Sequence, residues 1–172
     1  MTIATRLADA DAWLLDRVFQ PLSDRLDGSP SAFDVGLSLQ LGAVVLELAS
    51  DAALYGAGML SLGYGVYCGF SAACGMWFYV YVGRLRTMVT PGRLNPLRPM
   101  FQVLRLLGLG FAAWSVFSSA TSDAAAALAY GLTAVSNLAF VAGMYLVSCR
   151  RPPPGERRRA WAGFRREAPG LG

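Results

Sequence analysis

The sequence predicts an all-α protein: an integral membrane four-helix bundle, N-in and C-in, with an N-terminal amphipathic helix and a basic C-terminal tail. Three observations predict it. From Asp34 to Arg84 the chain is a near-continuous apolar block in which only Glu47 and Asp51 carry charge between those two residues. A block of that length suits two membrane spans joined by a tight turn. The composition is 55% hydrophobic and 15% charged, against roughly 25% charged in an average soluble protein. The arginines, finally, gather in segments that one side of a four-span topology would share.

The 172 residues suffice for one compact unit and are too few for two ordinary domains. All 15 basic residues are Arg, a bias that matches a GC-rich bacterial genome. The chain has no His, which removes the commonest general base and transition-metal ligand. Cys68, Cys74 and Cys149 form no CxxC pair and are expected to act as small buried hydrophobes.

Residues 1–33 do not resemble a secretory signal, since Asp9 and Asp11 interrupt the apolar run. On a helix, Ile3, Leu7, Leu14, Leu15, Val18, Phe19, Leu22 and Leu26 share one half of the circumference, with Asp11 and Arg25 intruding. An interfacial helix lying on the membrane is expected, with docking on a partner protein as the alternative. Pro21 should kink or restart it, and Gly28, Ser29 and Pro30 should end it.

The bundle proper is assigned to residues 34–148. Span one is expected at 35–57 and span two at 62–83, with Gly56, Gly58 and Gly63 allowing the hairpin. The alternative, a first helix ending near Ser50, would leave a second helix of implausible length. Residues 84–100 form a connector that Pro91, Pro96 and Pro99 keep from extending either helix. Span three is expected at 101–120, a turn with an N-cap at Thr121, Ser122 and Asp123, and span four at 124–148. Pro152, Pro153 and Pro154 then stop the helix, and residues 149–172 form a basic Pro/Arg-rich tail.

The connector carries Arg84, Arg86, Arg93 and Arg98, and the tail from Arg150 onward carries seven arginines. The two hairpin turns on the other side carry none. The positive-inside rule therefore puts both termini in the cytoplasm, with a bacterial inner membrane as the expected location.

The sharpest constellation is a polar stripe of Gln40, Glu47, Asp51 and Tyr55 on one face of span one. Such a stripe should face the bundle interior, a partner or water rather than lipid. Glu47 falls about 18 Å from the cytoplasmic end, and Asn137 on span four falls at about the same depth. A hydrogen bond between Asn137 and a protonated Glu47 would serve packing alone; a partner contact and an ion or proton path are the other readings. Arg105 lies nearer the cytoplasmic end than Glu47 and is expected to snorkel with Arg98 to the head groups. Tyr64, Cys68, Ser71 and Gly75 on span two, and Gly108, Ala112, Ser115 and Ser119 on span three, read as small-residue packing seams.

Lipid head-group or partner contacts are expected at Arg84, Arg86, Arg93, Arg98, Arg105, Arg157, Arg158, Arg159, Trp161, Phe164, Arg165 and Arg166. In the tail, arginines interleaved with Trp161 and Phe164 fit an anionic bilayer surface better than nucleic acid. Trp77, Tyr79 and Tyr81 suit an interfacial belt. No nucleophile elbow, phosphate loop, metal cluster or cofactor fingerprint occurs in the sequence. The expected function is a non-enzymatic multi-pass membrane protein without cofactor, an accessory or assembly subunit contacting other membrane subunits or itself. The alternative is a small oligomeric channel, holin-like pore or transporter using Glu47 and Asp51.

Overall fold

A computed structural model of the chain describes residues 2–26, 30–59, 61–120 and 124–151. The apolar blocks form helices because little in them competes with helix, and polar residues mark their ends. The first, α3 (Ala32–Gly56), starts at a capping box. The Ser31 hydroxyl accepts from the Asp34 amide at 3.3 Å, and the Asp34 carboxylate accepts from the Ser31 amide at 3.2 Å. At its other end Gly58 takes φ +70. The Gly58 amide then reaches the Tyr55 carbonyl at 2.9 Å, and the Met59 amide reaches that of Leu54 at 3.0 Å. This paired closure requires a left-handed residue just past the helix end, which is why glycine stands there.

Ser61 caps α4 (Leu62–Arg84), which tightens into a 3-10 turn at Leu85–Met88. The even division of the block is thus the observed one. A short α5 (Leu97–Met100), α6 (Gln102–Ala120) and α7 (Ala124–Ser148) complete the spans. Among the described residues four helices are long and apolar enough to cross a membrane. The expected turn and cap at Thr121, Ser122 and Asp123, the stop at Gly28 and Ser29, and the tail from Pro152 onward lie outside the described residues.

The last span is the hub. In its most apolar window 33% of residues are buried, against 11% in α4. The α3–α7 crossing is backbone against backbone: a Cβ on Gly143 would lie 2.6 Å from the Gly36 carbonyl oxygen. Gly108 of α6 admits Val141, and Gly75 of α4 admits Val44. The small-residue seam expected on α6 is buried at Gly108, Ala112 and Ser115. On α4 the seam is weaker, with Cys68 buried and Tyr64 40% exposed. These contacts make neighbouring spans antiparallel. The start of α3, the end of α4, the start of α6 and the end of α7 therefore share one end, called here the arginine end.

A core of Val82, Val89, Leu97, Phe101, Met144 and Val147 closes that end. Asn95 pins the connector beneath it. Its side-chain amide donates to the Val147 and Cys149 carbonyls at 2.8 and 2.9 Å, and its oxygen accepts from the Leu97 amide at 2.9 Å. One side chain thus satisfies the last carbonyls of α7 and caps α5.

The N-terminal segment packs across the arginine end of its own bundle, a contact that the sequence reading did not include. Helix α1 (Ile3–Leu14) passes through a π turn at Leu15–Phe19 into α2 (Gln20–Arg25). The π turn directly precedes Pro21, whose ring crowds a regular α ladder, and the Gln20 amide bonds the Leu15 carbonyl five residues back. A regular helix drifts about 40° every four residues; the wider turn takes part of that back. Asp11, Leu15, Phe19 and Ser23 consequently keep facing the bundle, with Asp11, Leu15 and Ser23 buried. Leu7, Trp13, Val18 and Leu22 remain exposed on the outer side.

Candidate functional site

Polar side chains gather in two places, one at the arginine end and one midway along the long helices. At the arginine end, α1 carries Asp11 against Arg105 at the start of α6. Arg105 Nε and Nη2 donate to the two Asp11 carboxylate oxygens at 2.9 and 2.6 Å. Arg105 Nη1 donates to the Ser148 hydroxyl at 2.9 Å, which itself donates to the Met144 carbonyl at 2.7 Å. The Tyr145 hydroxyl donates to Asp11 at 2.8 Å, and its ring lies 5.2 Å from the guanidinium carbon. Phe19 stacks on the other face of this region, 4.5 Å from the Tyr145 ring at 11°. Asp11 is 2% exposed and Arg105 1%. A buried ion pair tolerates such desolvation only with this geometry, two-pronged and with its remaining hydrogen-bonding positions answered.

Arg105 is therefore neither a snorkelling head-group contact nor a partner of Glu47. The physical reason is the docked N-terminal helix, which brings a carboxylate to the guanidinium and excludes the water it would otherwise seek. Asp11, Tyr145 and Asn95 were missed by sequence reasoning, while Ser148 was placed in a polar stripe of span four with Tyr130, Thr133 and Asn137. Asp11 gave one signal, an acid intruding on an apolar helix face.

The other expected contacts at this end are mixed. Arg98 pairs with Asp16 at 2.7 Å and Arg86 with Asp34 at 2.9 Å. The hydrogen bond that Arg98 donates to Asp16 pushes the Arg98 pKa further up, so that guanidinium stays charged. Arg84 and Arg93 are exposed. Gln20 bonds residue Arg150 twice, accepting from its amide at 2.8 Å and donating to its carbonyl at 2.9 Å. The positions Arg157, Arg158, Arg159, Trp161, Phe164, Arg165 and Arg166 lie outside the described residues.

Midway along the long helices, α3, α4 and α7 line a cleft of about 250 Å³. Glu47 and Asp51 line it from α3, Cys68 and Ser71 from α4, and Ser136 and Asn137 from α7. It is open at the rim, where Leu48 is 45% exposed. Glu47 and Ser136 share this cleft across α3 and α7, and Asp51 and Cys68 share it across α3 and α4. The three ion pairs among the described residues leave both acids out.

The stripe on α3 does not act as one unit. Gln40 turns to α7, 2% exposed, its amide nitrogen 3.5 Å from the Met144 sulfur and its oxygen buried without a partner. Tyr55 is 69% exposed. The expected Asn137–Glu47 bond is replaced, because Asn137 faces α6 and donates to Ser115 at 2.7 Å. Spans one and four are tied instead by hydroxyls: Ser50 bonds the Ala129 carbonyl at 2.8 Å and Thr133 at 2.9 Å, and Ser136 donates to the Ala43 carbonyl at 2.8 Å. Among the described residues no three His, Cys, Asp or Glu side chains converge as a metal site requires. No family model, no curated protein and no solved structure matches this chain.

Proposed function

We propose that this chain is a non-enzymatic multi-pass membrane protein that serves as an accessory or assembly subunit of a larger membrane complex. The observation carrying this reading is the cleft between α3, α4 and α7, which holds Glu47 and Asp51 beside a thiol, hydroxyls and an amide. Carboxylates at membrane depth are costly unless something answers them. Asp11 is answered within the chain, whereas the cleft offers Glu47 and Asp51 no guanidinium. A basic or hydrogen-bonding side chain from a neighbouring membrane helix would complete it. The concentration of described arginines at one end favours that end as cytoplasmic, hence N-in and C-in in a bacterial inner membrane. Anionic head groups there are the second class of partner.

The same cleft favours a second reading, a proton or cation path, because its volume admits water and its two acids stand one helical turn apart. One experiment separates the two. Membranes holding the native chain and Glu47→Gln/Asp51→Asn are solubilised gently and purified through the chain. The subunit reading expects co-purifying membrane proteins with the native chain and their loss or weakening with the double variant. A lone native chain whose proteoliposomes pass protons or cations, and stop when the carboxyls are removed, would establish the path instead.

A further inference from the structure

A second pocket lies at the arginine end, where α2, the start of α3, the end of α4 and the end of α7 meet. It has a volume of about 30 Å³ and is lined by residues including Ser31, Ala32, Phe33, Arg86, Arg150 and Arg151. We infer that this pocket binds a phosphate oxyanion, with an anionic phospholipid head group as its membrane source. Three arginines, Arg86, Arg150 and Arg151, line one small space. Asp34 holds Arg86 by two contacts, at 2.9 and 3.2 Å, and so fixes its direction while offsetting one charge. Asp24 is held by Gln20 at 2.9 Å. Among the described residues no ion pair takes up Arg150 or Arg151.

Arg151 supplies an independent sign of a missing acceptor, since its Nε is buried with no hydrogen-bond partner. A buried donor left unanswered is costly, and to a charged acceptor it bonds strongly. Ala32 and Phe33, in the first turn of α3, also line the pocket; an α-helix leaves the amides of that turn without internal acceptors, at its positive dipole end. A water-sized atom needs roughly 10–15 Å³ by this measure. The pocket thus holds about two such atoms, as the two non-bridging oxygens of a phosphodiester require. Its place at the end of the spans is where head-group phosphates lie, so the lipid source rests on the membrane reading above.

The test uses the full chain purified in mild detergent, read by its thermal unfolding temperature. Dihexanoylphosphatidylglycerol, inorganic phosphate and dihexanoylglycerol, which lacks phosphate, are titrated separately. Stabilisation is expected from a phosphate-bearing probe and not from dihexanoylglycerol. Half-saturation should weaken at least about tenfold in Arg150→Gln/Arg151→Gln, the least expected for losing one hydrogen bond to a charged group. It should stay unchanged in Arg84→Gln/Arg93→Gln, which removes the same charge elsewhere. If the first variant does not fold, Arg151→Lys keeps the charge, lacks the Nε donor and should weaken binding by a smaller factor. A response to phosphatidylglycerol alone assigns the lipid head group, and an equal response to inorganic phosphate assigns a free oxyanion. Equal loss in both double variants, no stabilisation by either phosphate probe, or stabilisation by dihexanoylglycerol overturns the site. Recovery of the chain in the soluble fraction would break the membrane reading, yet the inorganic phosphate titration would still test the pocket.

Discussion

The arginine end buries its carboxylate, the cleft between α3, α4 and α7 leaves two half-buried, and the two regions treat their acids in opposite ways. Asp11 is buried beside Arg105 and Tyr145, with two guanidinium contacts and a phenol answering its oxygens. Glu47 and Asp51 stand in a cleft of about 250 Å³ that a serine and a cysteine help to line. The first arrangement leaves nothing for an outside group to satisfy. The second leaves much. A buried acid with its own counter-ion is best understood as architecture, and one without a counter-ion as a position awaiting a proton, a cation or a partner.

The largest expected effect tests the architectural half. Arg105→Ala strands Asp11 in a buried site and should cost about 3–5 kcal/mol, the range for breaking a buried pair from one side. Unfolding in mild detergent measures it. Asp11→Leu/Arg105→Leu should cost less than Arg105→Ala alone, because no lone charge remains. A cost below about 1 kcal/mol for Arg105→Ala would remove the contrast between the two regions.

Tyr145→Phe sharpens it. The ring stays to stack on Phe19 while Asp11 loses one donor, so a cost of about 1.5–3 kcal/mol is expected, the scale of a hydrogen bond to a charged group. Matching Phe and native stabilities would show that the guanidinium alone answers Asp11.

In the cleft the expected effects are smaller. Glu47→Gln should preserve the fold, and Glu47→Leu should cost roughly 0.6–2 kcal/mol, the range for interhelical hydrogen bonds in membranes. Glu47→Leu costing as much as Arg105→Ala would make the cleft architecture too.

The smallest effect belongs to the partly exposed pair of Arg98 and Asp16, with side chains 35% and 52% exposed. Asp16→Asn should cost about 0.2–1 kcal/mol and lose most of that at high salt. Salt should leave the Arg105→Ala cost nearly unchanged, since water and ions do not reach that pair.

The spans were legible in the sequence because apolar runs of membrane length have few other solutions, and α3, α4, α6 and α7 fall within a few residues of the expected bounds. The Gly108, Ala112 and Ser115 seam was legible for the same reason, small residues at helical spacing. The docking of the N-terminal helix was not. Its key pair joins residues 94 positions apart, and no local pattern couples Asp11 to Arg105. Treated separately, an acid on an apolar face is a flaw and an arginine near a membrane surface is an anchor. Asn137 shows a related limit: depth along the helix was readable, but the rotation that aims it at Ser115 instead of Glu47 depends on how α6 packs. Asn95 carried no signal, since a single asparagine in a proline-rich connector looks like turn chemistry.

The knot around Asp11 also has a timetable. Tyr145 follows Asp11 by 134 positions, which at ~5–20 residues per second takes roughly 7–27 s of synthesis. During that interval the N-terminal helix has been made while Tyr145 and Ser148 have not. Its acid cannot be buried until the last span is in place, so the docked helix marks a finished chain. Ribosome-held chains that stop short of Tyr145 should leave this helix open to protease, and released full-length chains should protect it; equal cleavage of both would show that docking does not wait for the end.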